Sequence, residues 1–169
     1  MFPESLVAAR KLLEKITPLQ TDCGLVCGGA CCQTHPGEET GMLLFPGEAE
    51  MYRGEEGFTL VDSPHGTILV CEGRCSRVNR PLACRMFPLV MLLRPDGVKI
   101  ATDAAAQSVC PLARQGKSAL SQDFVAAVRQ AANLLAQDDQ QAAHLRRLTD
   151  MQDELKALRA QYRGRKEHV

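Results

Sequence analysis

The sequence predicts an α+β protein in which an irregular, cysteine-rich region with short strands lies between an N-terminal helix and a C-terminal helical hairpin. Three observations lead to this fold class. Apolar residues recur at helical spacing at both ends of the chain, and the middle contains short apolar runs separated by turn residues. All eight cysteines lie between positions 23 and 110. We therefore expect a cysteine-rich domain with its N-terminal helix over residues 1–117, and a helical hairpin packed on it over residues 118–169.

The N-terminal helix is predicted from four apolar residues that fall on one face: Leu6, Ala9, Leu13 and Ile16. Pro18 ends this pattern, because the residue before a proline resists the helical backbone conformation. The segment that follows, residues 23–32, contains three glycines and four cysteines. Glycine costs about 1 kcal/mol in a helix interior, so we expect a loop there rather than a helix.

Short strands are predicted through the middle of the chain. A run at residues 41–45 is apolar and short, and residues 46–53 favour a brief helix with acidic residues near its start. Two hairpins follow, each with two apolar runs around a turn rich in proline, glycine and aspartate. Their strands are predicted at residues 58–61 and 67–71, and at residues 89–93 and 98–101.

Two helices are predicted after residue 118, where cysteine and proline no longer occur. The stripe of the first helix contains Phe124, Val128, Ala131 and Leu135. Asp138 or Asp139 is the expected N-cap of the second helix. Its apolar residues recur at threes and fours, which indicates a hairpin with an apolar seam: Leu145, Leu148, Met151, Leu155, Leu158 and Tyr162. A frayed tail is expected from Arg163 onward.

The cysteines are the candidate functional residues. They form two groups in the sequence: Cys23, Cys27, Cys31 and Cys32, then Cys71, Cys75, Cys84 and Cys110. Buried cysteines that serve only packing scatter along a chain, whereas zinc and iron–sulfur clusters take four thiolates, often from close pairs. We therefore predict that all eight are metal ligands, for zinc or an iron–sulfur cluster at one or two sites.

The spacing leaves the division of the ligands open. The simplest division separates the first four cysteines from the last four, and an interleaved division would join the two halves of the chain. Cys31 and Cys32 are adjacent, so one of them serves a different ion or is not a ligand. His35 is a further candidate ligand, although a surface position is the favoured interpretation. Charge partners are expected from Arg74, Arg77, Arg80 and Arg85, and from the amides of Gly24, Gly28 and Gly29.

A resemblance rests on these residues. A cysteine cluster that ends in Cys31-Cys32, followed by Arg80-Pro-Leu-Ala-Cys-Arg-Met-Phe-Pro88, resembles the family of eight-cysteine zinc- or iron-chelating proteins of the CxxCxxCC type. The resemblance covers roughly residues 21–111 and includes the segment Phe45 to Glu48. It implies a cytoplasmic protein that binds zinc or an iron–sulfur cluster. The C-terminal helices lie outside it.

Composition narrows the function classes. The formal net charge is zero, so we expect no nucleic-acid partner. No run of about 20 apolar residues occurs, so we expect no membrane span. Residues 1–5 lack the features of a signal peptide, which leaves the cytoplasm as the expected compartment, where clustered cysteines indicate metal or redox chemistry rather than disulfides.

Three functions remain open on the sequence alone. The first is a metal-binding protein without catalysis of its own, acting in metal handling or electron transfer. The second is a redox or metal-dependent enzyme with an open coordination position. The third is a zinc-stabilised scaffold that binds a protein partner through its C-terminal helices. No catalytic sequence motif is present, which favours a function other than catalysis.

Overall fold

The computed structural model describes residues 1–33, 41–73 and 75–166. Within them, helices flank a middle region of short antiparallel strands, so the predicted α+β class is confirmed. The candidate ligand His35 and the expected charge partner Arg74 lie outside the described residues.

Six α-helices occur in the described part of the chain. Two of them are long and C-terminal, one is N-terminal, and three are single turns that carry or adjoin cysteines. In chain order they are α1 (Glu4–Leu12), α2 (Gly24–Cys27), α3 (Leu82–Met86), α4 (Pro111–Gln115), α5 (Gln122–Leu135) and α6 (Asp139–Lys166). Because α6 continues to Lys166, the helix extends beyond the predicted start of the tail at Arg163.

Five strands form two antiparallel sheets over the described residues, at the positions where the apolar runs predict them. The first sheet has the order β1-β3-β2 and the second is the hairpin β4-β5. The strands are β1 (Met42–Leu43), β2 (Phe58–Ser63), β3 (Gly66–Cys71), β4 (Leu89–Arg94) and β5 (Gly97–Thr102). Phe58 pairs with Cys71 and Ser63 with Gly66, so Cys71 lies at a strand end, as predicted.

One core joins the N-terminal helix, the second sheet and the C-terminal helices. Leu6 and Leu13 of the N-terminal region are buried against Phe124 and Val128 of α5, and all four are fully inaccessible to solvent. Helix α5 packs on α1 and β5, while α6 packs along β4. The C-terminal helices therefore pack on the rest of the chain and share its core.

The first cysteine segment differs from the predicted loop, because residues 24–27 form a helical turn. The prediction of no helix there is wrong for a local reason. Gly24 is the first residue of this turn rather than an interior one, and its amide donates to the Asp22 side chain at 2.9 Å. Gly28 and Gly29 then adopt positive φ angles of 67° and 73°, which ends the helix.

Helix α6 is held by polar contacts as well as by its apolar residues. Asp138 is its N-cap, accepting from the amides of Gln140 and Gln141 at 3.0 and 3.1 Å. Farther along, the Leu93 amide donates to Thr149 Oγ1 at 2.9 Å. The predicted seam is covered only in part, because Leu158 and Tyr162 are 51% and 67% exposed.

From its place on a flank of the second C-terminal helix, the sequence predicts a surface position for His144, and this prediction is wrong. Its side chain is buried and its ring lies 4.7 Å from that of Phe45, centre to centre. The sequence suggests a flank of α6, but the chain between β1 and β2 covers that flank. Gln141, one turn earlier, donates its side-chain amide to the Pro46 carbonyl at 2.8 Å. This hydrogen bond belongs to the same contact between α6 and the chain after β1.

Candidate metal centre

The eight cysteines come from four separate segments of the chain, and the fold brings them to one side of the molecule. Cys23 and Cys27 bracket α2, and Cys31 and Cys32 lie in the turn of 3-10 helix after it. Cys71 ends β3, and Cys84 lies within α3. Cys110 immediately precedes α4. None of the eight forms a disulfide.

Two adjoining cavities are lined by these thiols. The smaller, of about 40 Å³, is lined by Cys23, Cys27, Cys31, Cys84 and Cys110. The larger, of about 490 Å³, is lined by Cys31, Cys32, Cys71, Cys75 and Cys84, together with an apolar wall. Every cysteine therefore faces one or both of the cavities, and Cys31, Arg80, Cys84 and Phe87 lie between them.

The helix that carries Cys84 is fixed by a buried carboxylate. Pro81 precedes the helix, and the amide of Leu82, its first residue, donates to Glu48 Oε1 at 2.7 Å. Glu48 is fully buried, where it also accepts from the Phe45 amide at 3.2 Å and from the Arg10 guanidinium. Burial raises the pKa of Glu48, and the Arg10 charge opposes that rise. The carboxylate thus joins α1, the chain after β1, and α3.

The arginines near the cysteines have different roles. Arg85 is buried and donates to the carbonyls of Arg10, Val78 and Arg80 at 2.8 to 2.9 Å. Arg77 donates to carbonyls at the end of α1, including Glu14 at 2.8 Å. These two guanidinium groups hydrogen-bond backbone carbonyls, which was not expected from the sequence.

Arg80 is the arginine whose charge acts most directly on the thiols. It lines both cavities, and it favours the Cys75 thiolate by its charge and by a hydrogen bond, although burial raises the pKa of Cys75 more strongly. Its buried Nε has no hydrogen-bond partner among the described residues. A buried donor of this kind is costly to leave unpaired, and an anionic thiolate group between the cavities would pair with it.

The thiols lie close enough to influence one another's protonation. Burial raises the pKa of Cys84, and the charges of Cys32 and Cys75 add to the rise. The pKa of Cys31 is raised first by a hydrogen bond to Cys32 and then by burial. Several thiolates at this separation repel each other, and a bound cation would offset that repulsion.

The thiols do not converge on a single point. Among the described residues, no three cysteine, histidine, aspartate or glutamate side chains are grouped closely enough to hold a metal ion as they stand. Each cysteine has one side-chain torsion that re-aims its sulfur without moving the backbone. The donor set itself, soft thiols with an unpaired cationic donor beside them, is of the type that zinc and iron–sulfur clusters use.

Comparison of the chain with protein-family models, curated proteins and solved structures finds no significant match. No helix in the described part of the chain is both long enough and apolar enough to cross a membrane.

Proposed function

We propose that this chain is a metal-binding protein that holds zinc or an iron–sulfur cluster through its clustered cysteines, in metal handling or electron transfer. The observation that carries the proposal is that all eight thiols, from four segments of the chain, line two adjoining cavities and none is paired in a disulfide. The resemblance of the two cysteine motifs to zinc- or iron-chelating proteins supports the same function. Clustered cysteines of this kind are typical of metal-binding proteins in a reducing compartment, which we propose to be the cytoplasm.

The cysteines, Arg80 and Glu48 would have different roles in metal binding. Thiolate sulfurs would hold the metal, and a bound metal would supply either a structural cross-link or an electron-transfer centre. Arg80 would offset the residual negative charge of the thiolates. Glu48, through Leu82, would hold the helix that carries Cys84 in position.

The first test is the metal content of the native protein. After anaerobic purification, elemental analysis should find stoichiometric zinc or iron. If iron is present, the visible spectrum should show the absorption of an iron–sulfur cluster. We expect iron–sulfur in protein kept from oxygen and zinc in material overexpressed in air. Absence of transition metal from the anaerobic sample, with eight reactive thiols in the folded chain, would contradict the proposal.

Cys84 provides a sharper test. Replacing it by alanine should remove one metal equivalent and lower the melting temperature, because metal binding contributes on the order of 10 kcal/mol to folding. The control is Ala83→Gly in the same helix, which should cost about 1 kcal/mol of stability and leave the metal content unchanged. Full metal content in Cys84→Ala would remove this cysteine from the ligand set.

A second candidate function is favoured by the larger cavity. Its volume of about 490 Å³ and its apolar wall, from residues such as Phe58, Met86 and Leu148, are typical of a small-molecule site. A metal or redox enzyme for an apolar substrate would use such a cavity beside its thiols. Cobalt substitution distinguishes the two functions, because added azide or cyanide changes the visible spectrum of an open site and leaves a closed four-thiolate site unchanged.

A further inference from the structure

We propose that the eight cysteines form two interleaved sites, with Cys23, Cys27 and Cys110 in one, Cys32, Cys71 and Cys75 in the other, and Cys31 and Cys84 between them. This inference rests on the proposed function and specifies how its ligands are divided. It differs from the simplest division by the sequence in two residues, because Cys32 and Cys110 exchange sites.

Cys110 belongs with the first cysteines because of its position in the fold. The smaller cavity contains Cys110 together with Cys23 and Cys27, while Cys71 and Cys75 line only the larger cavity. The start of α4 therefore lies beside α2, although more than eighty residues separate Cys27 from Cys110 in the sequence.

Cys32 belongs with the later cysteines by the same criterion. It lines the larger cavity with Cys71 and Cys75 and does not line the smaller one. The end of the first cysteine segment is thus turned toward the end of β3.

Cys31 and Cys84 line both cavities. Each site therefore takes its fourth thiol from one of these two cysteines.

The arrangement has a mechanical consequence. Each site joins the segment at residues 23–32 to a part of the chain distant in sequence, so both metals would cross-link α2 and the turn after it to the sheets and to α4. Arg80, which lines both cavities, is placed to act on the thiolates of both sites.

Three double substitutions to serine distinguish the two divisions, with zinc bound anaerobically and measured by elemental analysis. In the interleaved arrangement, Cys27/Cys110 and Cys32/Cys75 each fall within one site, so each double variant should keep about half of the wild-type zinc. Cys27/Cys32 spans both sites and should keep almost none. The sequential division predicts the opposite: Cys27/Cys32 would keep half, and the other two variants almost none.

A measurement on the wild-type chain avoids the risk that a double variant fails to fold. With ¹¹³Cd in place of zinc, proton–cadmium correlation spectra connect the β-protons of each cysteine to its metal. Two cadmium signals, one coupled to Cys110 with Cys23 and the other to Cys32 with Cys71, would establish the interleaved division. A single cadmium signal, or Cys32 coupled with Cys23, would overturn it while leaving the proposed function in place. Wild-type protein that binds neither zinc nor cadmium would instead overturn the proposed function.

Discussion

Arg80 and Arg85 lie five residues apart and differ in what their guanidinium groups contact. Arg85 satisfies three backbone carbonyls, whereas the buried Nε of Arg80 finds no hydrogen-bond partner within the described part of the chain. Sequence alone indicates only that arginines surround the cysteines. These contacts indicate that Arg85 stabilises the fold, whereas Arg80 acts on the charge of the thiolates.

Substitution by methionine should separate these two roles. Arg80→Met should weaken zinc retention against a chelator by about 10-fold or more, with little change in the stability of the metal-free protein. Arg85→Met should lower that stability by about 3 kcal/mol, because it leaves buried carbonyls unpaired. Chelator competition and denaturant unfolding, applied to both variants, check this. Equal losses of zinc affinity in the two variants would contradict a special role for Arg80.

His144 is buried in neutral form against Phe45. Burial, and to a lesser extent the charge of Arg147, lower its pKa to about 4, well below the value of about 6.5 expected in the unfolded chain. Its Nε2 has no hydrogen-bond partner among the described residues. Protonation therefore favours the unfolded state.

This shift predicts a dependence of stability on pH. The contribution of His144 is fully present above pH about 6.5 and is lost as the pH falls toward about 4, because the unfolded state then binds a proton that the folded state excludes. The loss is on the order of 3 kcal/mol. His144→Phe should remove this part of the acid destabilisation in unfolding curves measured from pH 7 to 4. His65→Gln, at an exposed turn, is the control and should retain it.

At the scale of elements, Glu48 connects the region before β2 with α1 and α3. Its carboxylate is fully buried and accepts from the Leu82 amide, the Phe45 amide and Arg10. Since α3 carries Cys84, the position of one proposed ligand depends on a residue distant in sequence.

Glu48→Gln should destabilise the protein by about 3 kcal/mol, because removing one member of a buried ion pair leaves the other charge uncompensated. It should also reduce zinc retention, since the start of α3 loses a charged acceptor. The control is Glu50→Gln, whose partner Arg53 is exposed and whose loss should change little. Unfolding in denaturant and chelator competition measure both effects. A Glu48→Gln protein as stable as wild type would show that the ion pair is dispensable.

At the scale of the whole molecule, the helices beyond residue 118 share a core with the rest of the chain. Phe124 and Val128 are packed with Leu6, Leu13 and Ile100 in one cluster. A shared core predicts that the cysteine-rich part and the C-terminal helices unfold together.

Phe124→Ala should therefore lower the stability of the entire protein by about 4 kcal/mol. Helix content by circular dichroism and the release of bound metal should still change in a single transition. Tyr162→Ala removes a side chain that is 67% exposed and should leave the midpoint of that unfolding transition unchanged. Two separate transitions would indicate that the two parts are independent units.

The sequence by itself determined the features that depend on neighbours along the chain. Apolar spacing predicts α1, α5 and both β-hairpins, the helix cap is narrowed to Asp138 or Asp139, and the clustering of the cysteines marks them as one set of candidate ligands. These signals are local, because periodicity and turn chemistry act over a few residues.

Tertiary structure alone decided which cysteines share a cavity, which arginine faces them, and that His144 is buried. Each of these depends on contacts between segments far apart in sequence. Cys27 and Cys110 line the same cavity because α2 and the start of α4 meet there, and Cys31 and Cys32 have different neighbours because Cys31 lines both cavities whereas Cys32 lines only the larger one. Spacing cannot predict such contacts, since they follow from how the core brings the helices and sheets together.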